Sequence, residues 1–163
     1  MSKGILNFDP VNRTKKHNKQ GEWKKSALIE VRDDTYLYYQ WLIQKRYPLI
    51  QGVLGNDSWI NPPLRGTHVT IINDRMSDID LWNKIKEKYH NKEIHFFYDW
   101  EGLRNNGKHI YFKVECPMGQ EVRDFGNLGD PYFGFHMTIG LIPKDAGIKI
   151  EHNLKVQKYM IDS

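Results

Sequence analysis

The tetrapeptides His68-Val69-Thr70-Ile71 and His136-Met137-Thr138-Ile139 decide how this chain is read. Each is His, apolar, Thr, apolar. The sequence holds seven histidines and five threonines in 163 residues, so chance supplies about 0.2 His-x-Thr matches and two are an excess. Both copies sit in stretches that read as strands. Strand side chains alternate between faces, so His68 and Thr70 share one face while Val69 and Ile71 take the other, and the second copy behaves alike. Each strand buries one face and offers an imidazole and a hydroxyl on the other. An imidazole titrates at about pH 6.5, so two of them in one cleft can serve as general base and general acid. The hydroxyls can hydrogen-bond the non-bridging oxygens of a phosphate.

The surrounding sequence predicts alternating strands and helices. Residues 27–31 read as a strand, and Asp33 or Asp34 as the N-cap of a helix over 35–47 ended by Pro48. Leu37, Trp41 and Leu42 recur there at helical spacing, and Tyr38, Tyr39, Trp41 and Trp82 are assigned to the core. Residues 49–66 are loop-like, and 67–72 form the first motif strand. Ser77 caps a helix over 78–90, with Asp80 as the capping-box acid and Trp82, Ile85 and Tyr89 as its apolar set. Residues 93–100 alternate, Asn105-Asn106-Gly107 signals a hairpin, and 109–115 supply its partner. Pro117 opens a helix to about residue 128. Residues 133–141 form the second motif strand, and 148–161 one or two more. The pattern is α+β with mainly antiparallel pairing.

A chain of this length forms one domain with a substantial core. Hydrophobic residues make up 39% and charged residues 27%, which excludes a disordered chain, and no stretch nears the roughly 18 apolar residues of a membrane span. The first ten residues lack the apolar run of a signal peptide, so a cytoplasmic location is expected. The single cysteine, Cys116, excludes an internal disulfide and a cysteine-based zinc or iron–sulfur site. With no histidine placed to activate it, Cys116 reads as a small buried residue. The net charge of +4 is uneven: residues 1–25 carry seven basic and two acidic groups. That segment reads as a basic, loosely ordered lead-in that could meet a polyanion, followed by one domain over 26–163.

The paired motifs, one in each half of a small α+β domain, resemble those of the two-histidine (2H) phosphoesterase superfamily. More narrowly, the chain is similar to phage anti-CBASS nucleases, small 2H enzymes that destroy cyclic-oligonucleotide immune signals. The stretches that carry the likeness are residues 36–41, Leu64-Arg65-Gly66-Thr67-His68-Val69-Thr70, and Tyr132-Phe133-Gly134-Phe135-His136-Met137-Thr138-Ile139-Gly140. The resemblance covers about residues 26–142. It implies a two-lobed, pseudo-symmetric fold in which each lobe gives one motif strand to a central groove. It implies catalysis by His68, Thr70, His136 and Thr138 with no metal and no cofactor. A ribose 2′-hydroxyl attacks the neighbouring 3′-phosphate, one histidine takes its proton and the other protonates the leaving 5′-oxygen. The expected substrate is a cyclic di- or trinucleotide second messenger, whose cleavage lets a phage evade CBASS defence. No membrane and no stable protein partner are implied. RNA 2′,3′-cyclic ends, 2′,5′-oligoadenylates and simple nucleotide sequestration are the alternatives.

Two aromatic residues are candidates for stacking on substrate bases. Tyr36, in the first turn of the first helix, matches a base-contacting tyrosine of that family. Trp100 stands before Glu101-Gly102, where a side chain can overhang a cleft. Arg65 could meet a phosphate. His95 and His109 fall on facing strands but lack the further ligands a metal site needs. His17, His90 and His152 read as surface residues.

Overall fold

A computed structural model of the chain describes residues 1–10, 25–46, 63, 66–106 and 108–141, with the side chains of residues 36 and 44–46 outside the described set. Among the described residues there are six strands and three helices. In chain order they are β1 (Ser2–Phe8), β2 (Ala27–Glu30), α1 (Thr35–Arg46), β3 (His68–Ile72), α2 (Ile79–Tyr89), β4 (Glu93–Asn105), β5 (His109–Glu115), α3 (Pro117–Phe125) and β6 (His136–Leu141). The strands close into one antiparallel barrel in the order β1-β2-β3-β6-β5-β4.

This overturns the expected two-lobed α+β arrangement. The motif strands β3 and β6 do not come from separate lobes facing across a groove. They hydrogen-bond to each other, Val69 level with Met137. The ring is completed by β1, which joins β2 on one side and β4 on the other. β1 lies where an irregular basic lead-in was expected. Its alternation buries Gly4, Leu6 and Phe8, and only Lys3 of the basic residues falls within it. The remainder of that lead-in, residues 11–24, lies outside the described residues, as do the strands expected over 148–161.

One face of every strand is apolar. Leu6, Ile29, Val69, Ile71, Ile94, Phe96, Phe112, Met137 and Ile139 are all buried there. The helices pack onto this same core: Tyr39 of α1 meets Phe112 edge-on at 4.7 Å, Trp82 of α2 meets Phe8 at 5.1 Å, and α3 passes close to Ile71 at Gly119. Burying each such side chain contributes roughly 1.5–3 kcal/mol.

Several local expectations shift. Asp78, not Ser77, caps α2, accepting from the Leu81 N–H. Asp33 starts α1 by accepting from the Thr35 N–H. Of the aromatics assigned to the core, Tyr39 and Trp82 are buried but Tyr38 and Trp41 are more than half exposed. The inward face of α1 is Tyr39, Gln40 and Ile43, one step around the helix from the Leu37–Trp41 row. β4 runs past Trp100 to Asn105, because four residues, 99–102, bulge opposite Lys113 and the pairing then resumes at Leu103. Among the described residues no helix is long and apolar enough to cross a membrane.

Arg123 ties the two motifs together. It is buried, and its guanidinium donates to both Asp74 carboxylate oxygens at 2.8 Å, to the Ile71 carbonyl at 2.9 Å and to the Gly129 carbonyl at 2.8 Å. Ile71 closes the first motif, and Gly129 precedes the turn that leads into the second. The hydrogen bonds from Arg123, more than any other cause, hold the Asp74 carboxyl below its ordinary value. Arg123→Met should therefore destabilise the fold by roughly 2–4 kcal/mol, measured by denaturant unfolding at neutral pH. A lowered carboxyl contributes stability that is present above its unfolded pKa of about 3.9 and is lost as pH falls through the folded value. The gap between wild type and variant should stay constant from pH 7 to about 5 and shrink below about 4.

Candidate active site

The two motifs share more than their tetrapeptides. Pro63-Leu64-Arg65-Gly66-Thr67-His68-Val69-Thr70-Ile71 and Pro131-Tyr132-Phe133-Gly134-Phe135-His136-Met137-Thr138-Ile139 carry Pro, Gly, His, Thr and Ile at the same offsets. The structure gives that repeat a mechanism. In each, the glycine N–H donates to the proline carbonyl three residues back, at 3.0 Å for Gly66 and 3.1 Å for Gly134. Both glycines adopt left-handed backbone, with φ of 71° and 69°. That conformation is steeply unfavourable for other residues and turns the glycine carbonyl back toward the imidazole two residues on. His68 Nδ1 lies 2.9 Å from the Gly66 oxygen, and His136 Nδ1 lies 3.3 Å from the Gly134 oxygen. A carbonyl can only accept, so each Nδ1 carries the proton and donates it, which makes Nε2 the acceptor nitrogen of the neutral ring.

The residue after each glycine secures the turn to the neighbouring strand. Val31 N–H donates to the Thr67 carbonyl at 3.0 Å, and Val114 N–H to the Phe135 carbonyl at 2.9 Å.

The β3–β6 register then assembles the four side chains. With Val69 level with Met137 in an antiparallel ladder, His68 comes level with Thr138 and Thr70 with His136. Side chains so placed have Cβ atoms about 4.5–5.5 Å apart. All four are half-buried, on the face opposite the apolar core. The expected catalytic residues His68, Thr70, His136 and Thr138 are thus brought to one place.

The flanking strands add groups that the sequence alone did not single out. On β2, Glu30 is level with His68, and its carboxylate accepts from the Asn7 amide at 2.8 Å. On β5, Lys113 is level with His136 and Tyr111 with Thr138. The Tyr111 ring stands edge-on to His136, centroids 5.7 Å apart. One strand further, Arg104 is level with Tyr111, and its Nε is buried with no hydrogen-bond partner among the described residues. The sequence signal for Tyr111 and Lys113 was present: they alternate with the apolar Ile110, Phe112 and Val114. What it lacked was the strand beside them.

The remaining candidates divide. Trp100 lies in the bulge opposite Lys113 and is 57% exposed, so the fold brings it within one strand of His136. Tyr36 sits in the first turn of α1, with its side chain outside the described residues. Arg65, His17 and His152 also lie outside them. His95 and His109 are not brought together: His95 is level with Lys3 on β1, and His109 with Leu141 on β6. Burial, the Lys108 charge and the nearby His136 together push His109 below its ordinary value. His90 is half-buried rather than at the surface, its Nδ1 accepting the Phe8 N–H at 3.2 Å. Cys116 is buried, and burial pushes its thiol up, away from a reactive thiolate. Among the described residues no three His, Cys, Asp or Glu side chains converge as a metal site would need.

No family model, curated protein or solved structure matches this chain.

The turn geometry makes a direct prediction. Gly134 and Gly129 both hold positive φ with open space around them, so alanine at either costs about 1–2 kcal/mol of backbone strain. Both variants should lose that stability on thermal unfolding. Only Gly134→Ala should alter the tautomer signature of His136, read from its ring 15N shifts. Identical ring shifts in the two variants would show that the Gly134 carbonyl does not set the imidazole.

Proposed function

We propose that this chain is a metal-independent phosphodiesterase that cleaves a phosphodiester bearing a neighbouring 2′-hydroxyl, and that its substrates are cyclic di- or trinucleotide immune second messengers. The observation that carries this reading is the presentation of two imidazole Nε2 atoms and two hydroxyls on one polar face by a duplicated turn. A binding protein needs no second imidazole held in one tautomer, whereas in-line transfer needs a base on one side of the phosphorus and an acid on the other. The likeness of the paired motifs to those of 2H phosphoesterases supports the same chemistry.

In this mechanism one Nε2 takes the 2′-hydroxyl proton. The 2′-oxygen attacks phosphorus, the bond to the 5′-oxygen breaks, and the other imidazole delivers its Nε2 proton to that oxygen. The 2′,3′-cyclic phosphate is then opened by water, with the histidines exchanging roles, to a 3′-phosphate. Thr70 and Thr138 hold the non-bridging oxygens. One of His68 and His136 is the base and the other the acid in the first step; Glu30 is level with His68 and Lys113 with His136. A cytoplasmic site of action, in an infected host for a phage-encoded chain, follows from such substrates.

The test is a panel of cyclic di- and trinucleotides, 2′,5′-oligoadenylate and RNA, incubated with and without EDTA. Cyclic nucleotides should be cut equally under both conditions, with a rate that peaks near neutrality and falls on either side. His68→Ala and His136→Ala should each lower turnover by roughly 10²–10⁴-fold while substrate still binds, and Thr70→Ala or Thr138→Ala should cost less. A substrate with 2′-deoxyribose carrying the scissile 3′-phosphate should bind and stay intact. Cleavage confined to RNA or 2′,5′-oligoadenylate would move the substrate class. Loss of all activity in EDTA would replace the mechanism with a metal-bound hydroxide.

A further inference from the structure

Beside His136 the sheet opens into a groove of about 510 Å³, and Phe97, Asp99, Lys113, Glu115 and Phe133 line it. Phe97 is level with Glu115 across β4 and β5, and Lys113 is two residues from Glu115 on the same side of β5. Their neighbours Phe96, Phe112 and Val114 are buried in the core. Phe97, Lys113 and Glu115 thus stand on the same sheet face as the His–Thr cluster, and the groove reaches toward it at Lys113, which is level with His136. The turn 133–135, whose Gly134 carbonyl lies 3.3 Å from His136 Nδ1, also lines it.

We propose that this groove is a subsite for an amino-bearing purine of the substrate, adenine or guanine, next to the scissile phosphate. The inference rests on the phosphodiesterase reading above and names the base that this site takes. Phe97 and Phe133 are 46% and 81% exposed, so two large flat apolar rings stand in water at the edge of a polar cluster. Base–aromatic stacking contributes roughly 1–3 kcal/mol per base and favours the larger purine face. Lys113 lines the groove and is level with His136, so its ammonium is available to the phosphate that links base to reacting centre. The two carboxylates in its lining make the groove unsuited to a second phosphate. They are suited to accept from an exocyclic amino group. Asp99 already accepts the Glu101 N–H at 3.0 Å, so Glu115 is the acceptor that reads the base. Uracil, smaller and without an amino group, satisfies neither feature.

The experiment measures binding apart from cleavage. Adenosine monophosphate and uridine monophosphate are titrated into the full chain and into Phe97→Ala, Phe133→Ala and Glu115→Gln, by calorimetry. All three side chains are exposed in whole or large part, and unchanged thermal midpoints confirm folding; Phe133, the most exposed, serves if Phe97→Ala unfolds. Wild type should bind the adenine nucleotide about tenfold more tightly than the uracil nucleotide. Phe133→Ala should weaken adenine binding by about tenfold, and Glu115→Gln should shrink the adenine-over-uracil ratio while leaving uracil binding unchanged. Equal binding of the two nucleotides, or adenine binding indifferent to both phenylalanines, overturns the subsite. Purine binding with these losses, in a protein that cleaves none of the phosphodiesters tested, upholds the subsite and overturns only the phosphodiesterase reading.

Discussion

A single backbone register, Val69 of β3 level with Met137 of β6, governs everything proposed for this molecule. Strand side chains alternate, so a slip of either strand by one residue would send its histidine and threonine into the core and expose two apolar side chains instead. The core forbids that slip. Val69, Ile71, Met137 and Ile139 are fully or almost fully buried beneath helices that contribute Tyr39, Ile43, Trp82, Ile85 and Val122. The energy that fixes the polar face is thus apolar and lies on the other side of the sheet. Arg123 adds a polar lock at one end of the pair by joining Ile71, next to the last residue of β3, to Gly129 on the approach to β6.

The second constraint is local and occurs twice. A proline carbonyl, a left-handed glycine and a histidine Nδ1 are hydrogen-bonded in series ahead of β3 and again ahead of β6. The same device fixes the tautomer of both rings, and what differs between them is the next strand over. Glu30 is level with His68 and Lys113 with His136, so the two chemically equivalent side chains have neighbours of opposite charge on the flanking strands.

The parts of this arrangement written in short stretches of sequence were legible. The His-x-Thr pairs and their shared face followed from strand alternation, and the helices opening near residue 35, near residue 79 and at Pro117 followed from caps and periodicity. The glycine and proline offsets were equally visible in the sequence, but their meaning required the left-handed φ and the bond to His Nδ1. What was not legible depends on pairing between distant residues. The barrel closes because β1 pairs with β4, some ninety residues on, and no local pattern announces it. The same blindness set β1 among loose basic residues, where the charges of residues 13–25 masked the alternation of Gly4, Leu6 and Phe8. Aromatic residues surround α1 on every side, so periodicity alone could not tell buried Tyr39 from exposed Tyr38 and Trp41. The bulge at 99–102 looked like the end of a strand because Glu101-Gly102 carries a turn composition.

The central claim is that two imidazoles on one face drive attack by the substrate's own 2′-hydroxyl. The most direct measurement follows the phosphorus itself: 31P NMR of a cyclic dinucleotide during turnover by the intact protein. A 2′,3′-cyclic phosphate should rise before any 3′-phosphate and decay into it. Direct appearance of a 5′-phosphate, or of a 3′-phosphate with no cyclic precursor under single-turnover conditions, would contradict it, because water and not the ribose would then be the nucleophile.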